Sequence, residues 1–180
     1  MPIKMIYHVA ANGLITHAER QLSRPGEHPG PLFEDGFDCS SMVGNNLFFF
    51  IAGREVREIY SMLHKRVLAQ AKEISFDYRC DSPDVRREIR MSMRQGGVET
   101  VRYESEVLKE TARATVPQPS KESSFFISVC SLCKKYRFPV GSNQWKEIEL
   151  ILAEPDIPDH FNLTHTFCQE CYDGIMEKLT

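Results

Sequence analysis

At 180 residues, with 42% hydrophobic and 26% charged side chains, the chain has a globular composition. It is long enough for one ordinary domain and a smaller one. A formal charge of -3 gives no general pull toward nucleic acid or anionic lipid. No apolar run is long enough to span a bilayer, and the opening residues 1–7 show no signal-peptide core, so a cytoplasmic chain with reduced thiols is expected.

Residues 3–10 and 14–21 read as strands joined through Asn12 and Gly13, a strong hairpin signal. Residues 23–36, with three prolines and three glycines, read as a loop. The apolar run 47–51 reads as a short buried turn or helix. Residues 54–71 read as a helix, because Val56, Ile59, Tyr60, Leu63 and Val67 fall on one face. His64 lies at the edge of that stripe beside Lys65 and Arg66, where a solvated role is expected.

Three alternating strands follow. Ile74, Phe76, Tyr78 and Cys80 share one face; Ile89, Met91 and Met93 share another run; Val101, Tyr103, Ser105 and Val107 form the third. Turns are expected at 81–84 and at Gly96 and Gly97. Arg79, Arg86, Arg87, Arg90, Arg94 and Arg102 read as decoration of the outer sheet face, the expected surface for self-association or a protein partner. Residues 111–124 read as a linker between a domain at 1–110 and a second at 125–180. Within the second, 125–129 reads as a strand, 145–152 as a helix capped by Ser142 or Asn143, 154–158 as a Pro-rich loop and 171–179 as a final helix.

Two Cys-x-x-Cys pairs, Cys130/Cys133 and Cys168/Cys171, are the most specific chemical signal. Each pair lets two sulfurs of one turn face a point. Two such turns make the tetrahedral thiolate cage of a structural zinc. His165 is a candidate replacement ligand, a hydrogen-bond partner for a zinc-bound sulfur from outside the cage, or a surface residue. Cys39 falls in a loop and Cys80 on a buried strand face, where packing explains it. Three disulfides in a secreted protein are the weaker alternative.

The element order over residues 3–110 resembles a PAS domain. Val43-Gly44-Asn45-Asn46-Leu47-Phe48-Phe49-Phe50-Ile51 is similar to the segment that precedes the long helix in that family. The tail, from Cys130-Ser131-Leu132-Cys133-Lys134-Lys135-Tyr136-Arg137 through Trp145 and Glu147 to His165-Thr166-Phe167-Cys168-Gln169-Glu170-Cys171, resembles a tail attached to bacterial sensor proteins. Thr166 and Gln169 stand where that pattern has glycine and proline. The resemblance implies an α+β fold: an antiparallel sheet with helices on one face, then a small zinc-ribbon or treble-clef unit. It also implies a pocket, with Phe48, Phe50, Tyr60, Phe76, Tyr78 and Tyr103 as candidate lining, although aromatic residues at these spacings ordinarily fill a core. Flavin is not expected, since the Asn-Cys-Arg-Phe type motif is absent. Haem would use a histidine on the long helix, matching His64, and the edge position of His64 speaks against it.

The expected function is therefore non-enzymatic: sensing of a small molecule, or protein docking, on a zinc-stabilised scaffold. A nucleic-acid-binding regulator is the first alternative, through Lys134, Lys135, Tyr136, Arg137 and Phe138. The acidic residues of the tail weigh against it. A thiol-redox switch or oxidoreductase using the cysteine pairs is the second.

Overall fold

The computed structural model describes residues 4–21, 39–114, 116, 123–139, 142–155, 157 and 160–180. The sequence-read loop at 23–36 lies outside these residues, as does half of the expected linker at 111–124, whose first two residues, Thr111 and Ala112, continue a strand.

Five antiparallel strands form the first sheet: Lys4–Ala10 (β1), Ile15–Gln21 (β2), Ile74–Arg79 (β3), Val85–Gly97 (β4) and Thr100–Ala112 (β5). Their spatial order is β2-β1-β5-β4-β3, so the first strand pairs with the last. The long helix Arg54–Gln70 (α1) and two short 3-10 turns, Cys39–Met42 and Leu47–Phe49, cover one face. Alternation explains which face. Tyr7, Val9, Met91, Met93, Val101 and Tyr103 point toward Val56, Ile59, Leu63 and Val67 of α1 and form one core. Burial of side chains of this size contributes about 1.5–3 kcal/mol each.

A second, three-stranded sheet follows: Phe126–Cys130 (β6), Tyr136–Arg137 (β7) and Asn162–Thr166 (β8), in the order β7-β6-β8. β6 and β8 run parallel, with Val129 opposite His165. Helices Ile148–Leu152 (α2) and Gln169–Met176 (α3) complete this part. Ile127, Ile148, Ile151 and Phe161 form its own small core. Its cysteine-bearing corner does something else. Cys130, Leu132, Phe167, Cys168 and Ile175 pack into the core of the first sheet.

Several expectations shift. The chain does not turn at Gly96 and Gly97. β4 runs through them with a bulge, and Val98 and Glu99 make the turn, with Glu99 at φ 51°. α2 starts at Ile148 with Glu147 as its cap, not at Trp145 after Ser142 or Asn143. α3 begins at Gln169, two residues before Cys171.

His64 is not solvated. It is 1% exposed, with Nε2 3.1 Å from the Ala10 carbonyl and Nδ1 2.9 Å from the Tyr103 hydroxyl. A carbonyl only accepts, so Nε2 carries the proton and Nδ1 accepts from Tyr103. The arginines do not all decorate the outer face. Arg87 is fully buried, with Nε 2.6 Å from a Glu110 carboxylate oxygen. The tail covers that end of the sheet, and Arg79 and Arg86 face it.

Candidate metal centre and adjoining cavity

Local backbone geometry brings the four cysteines together. β6 ends at Cys130, and residues 131–133 form a tight turn closed by Lys134 N–H donating to the Cys130 carbonyl at 3.1 Å. Lys134 takes a left-handed conformation, φ 54°, and returns the chain so that Cys130 N–H donates to the Lys135 carbonyl. Ser131 N–H donates to the Thr166 carbonyl at 2.8 Å, which ties this turn to the end of β8. Cys168 then caps α3, and Cys171 lies in the first turn of that helix.

All four sulfurs lie within 4.8 Å of one another. Cys133 and Cys168 are 3.8 Å apart at sulfur. Cys130 and Cys168 are buried; Cys133 and Cys171 are half-buried. The Cys130 thiol is held far below the usual range, because the Cys133 and Cys171 thiols donate to its sulfur. The same contact with Cys130 pushes Cys133 up to about 12 and raises Cys171 as well. Sulfurs this close cannot all shed their protons unless a cation offsets the charge. A metal cation would replace those protons, and the donor set fits a metal ion that prefers sulfur.

His165 stands apart from this sulfur cluster. It sits mid-strand on β8, and its backbone carbonyl approaches Gly53 at the start of α1. A Cβ on Gly53 would lie 2.6 Å from that oxygen, and Gly53 has φ +86°. Both facts require glycine there.

Beside the cysteine corner is a cavity of about 410 Å³. The sheet, α1 and the turn around Leu47 form most of it, and Ser131, Lys134 and His165 close one side. Of the six candidate lining residues, Phe50, Tyr60 and Tyr78 line it. The other three do not. Tyr103 is stacked on Tyr7, with centroids 5.0 Å apart, and on His64 at 5.9 Å. Phe48 meets His64 edge-on. Phe76 packs edge-on against Tyr60 and faces a separate groove beside α3. Sequence reading missed Tyr7, Cys80, Ser105 and Lys134 as lining. The alternation signal for two of them was present: Tyr7 shares parity with Val9, and Ser105 with Tyr103.

A dense charge network joins the tail to the sheet edge. The Arg79 guanidinium bonds both oxygens of Glu147, at 3.0 and 2.9 Å, and also pairs with Asp81. Arg86 reaches Glu147 at 3.0 Å, and Arg113 bridges Asp81 and Glu149. Arg79 N–H also donates to the Leu132 carbonyl at 2.7 Å, beside the cysteines. Arg137 of the basic cluster lies over the Trp145 ring at 4.9 Å.

Among the described residues no helix is long and apolar enough to cross a membrane. No protein-family model matches the chain, and no curated protein matches it.

Proposed function

We propose that the protein is a non-enzymatic sensing or docking module of PAS-like construction, stabilised by one structural zinc on Cys130, Cys133, Cys168 and Cys171. The observation that carries this reading is the shared corner. The four-sulfur cluster belongs to the core of the first sheet, and the turn that carries Cys130 and Cys133 lends Ser131 and Lys134 to the wall of the cavity beside that core.

Zinc is the metal the donors suit best. A tetrahedron with Zn–S of about 2.3 Å has sulfur–sulfur edges of about 3.8 Å. The Cys133–Cys168 edge is 3.8 Å. Four thiolates leave no open coordination position, so the metal's role is to fold the corner rather than to catalyse. The PAS-like part of the reading is supported by the order of elements, by the five-stranded sheet over one long helix, and by the cavity between them.

Native mass spectrometry of protein purified without chelator tests the proposal. One zinc per chain is the expected result. Metal-free protein carrying Cys130–Cys133 and Cys168–Cys171 disulfides would overturn it in favour of thiol-redox chemistry.

A further inference from the structure

The cavity beside the cysteine corner has a charge bias that its apolar walls conceal. Tyr7, Tyr60 and Tyr78 line it together. Their hydroxyls lie close enough to perturb one another, and burial raises all three above the ordinary range, Tyr78 to about 12. They are therefore protonated and can donate. The Ser105 hydroxyl interacts with both Tyr7 and Tyr78.

Among the described residues no aspartate or glutamate lines the cavity. Two cations do line it. Arg79 is committed to Asp81 and Glu147. Lys134 has no ion pair among the described residues, and its charge acts on Cys80 and His165, two other lining residues. Ser131 Oγ is buried on the same side without a hydrogen-bond partner. Among the described residues the chamber therefore offers several donors, one uncommitted cation and no anion, a set complementary to a carboxylate. About 410 Å³ falls within the range of small-molecule sites, about 300–1,000 Å³.

Resting on the reading of this cavity as a ligand chamber, we infer that it takes a small apolar monocarboxylate. The carboxylate accepts from the tyrosine hydroxyls and pairs with Lys134, and the apolar body lies against Met5, Met42 and Met91. Lys134 also adjoins Cys133, where a cation would offset thiolate charge. The experiment separates the two roles.

The chain has seven methionines, which serve as reporters in metal-loaded, methyl-labelled protein. Met5, Met42 and Met91 line the cavity; Met93 is buried elsewhere and Met62 is exposed on α1. The protein is titrated with phenylacetate, phenylacetamide and phenethylamine. Phenylacetate is expected to move the three lining methyls saturably and to leave Met62 and Met93 in place. The amide and the amine are expected to bind at least about tenfold more weakly. Tyr60→Phe, Tyr78→Phe and Lys134→Gln are each expected to weaken phenylacetate about tenfold while zinc stoichiometry stays at one. Equal binding of the amide, or full affinity in Lys134→Gln, would overturn the carboxylate assignment and leave the chamber standing. If none of the three compounds moves the lining methyls at millimolar concentration, the chamber falls too, while the metal centre is judged by its own stoichiometry.

Discussion

Arg79 is the point where the tail is held to the sheet, and its removal gives a quantitative test. Arg79→Met keeps the aliphatic stem and deletes the guanidinium. Arg79 is 13% exposed, Asp81 8% and Glu147 31%. Breaking a fully buried pair costs about 3–5 kcal/mol. Here both abandoned carboxylates keep other partners. Asp81 retains Arg113 and the Arg87 backbone N–H, and Glu147 retains Arg86. The expected loss is therefore about 2–3 kcal/mol, less than for an orphaned charge. With a urea slope of about 1–3 kcal/mol/M, the midpoint moves down by about 1 M.

Trp145 is the single tryptophan and lies in the tail, so its fluorescence follows the tail while far-ultraviolet circular dichroism follows the whole chain. Because the cysteine corner belongs to the first sheet's core, both signals are expected to move together in the parent protein and in the variant. A loss below about 0.5 kcal/mol would show that solvent screens the network and that it does not hold the tail. A tryptophan transition well before the dichroism transition would refute the shared core itself.

Gly53→Ala forces a side chain into a left-handed position against the His165 carbonyl and is expected to cost at least about 2 kcal/mol in the same unfolding assay. Burial holds the His64 imidazole below its usual range, so the unfolded chain takes up that proton first as pH falls. Stability is present above the unfolded-state pKa of about 6.5 and is lost as pH drops toward the lower folded value. His64→Gln is expected to flatten the slope by up to about 1.4 kcal/mol per pH unit. Some slope remains, because His8 and His165 are shifted in the same direction. Removing the metal frees the turn that carries Ser131 and Lys134, so chelation is expected to weaken phenylacetate binding at least about tenfold in the methyl titration.

What could be read from the sequence had a local physical cause. The two cysteine pairs announce themselves because spacing alone sets whether two sulfurs of a turn converge. The strands around Phe76, Met91 and Tyr103 are legible because each has one wet and one dry face. The misread residues depend on contacts distant in sequence. His64 lies one residue beyond Leu63 on the helix, at the margin of the stripe. It is buried because Ala10 and Tyr103 meet it there, and no helical periodicity encodes that. Arg87 shares the parity of Ile89 and Met91, which pointed inward. Its charge argued outward, and only Glu110, on the paired strand, makes its burial tolerable. The cavity was half visible. Aromatic spacing cannot separate Tyr78, which lines a space, from Tyr103, which is stacked between Tyr7 and His64. The contribution of Ser131, Lys134 and His165 to its wall depends on how the tail docks.

In the proposed structure four sulfurs hold one zinc against the core of the first sheet. Zinc K-edge X-ray absorption on the purified protein reads that coordination sphere. A shell of four sulfur scatterers at about 2.3 Å and no nitrogen is expected. A mixed shell, with a nitrogen scatterer at about 2.0–2.1 Å, would place His165 or another histidine in the coordination sphere and contradict the four-cysteine assignment.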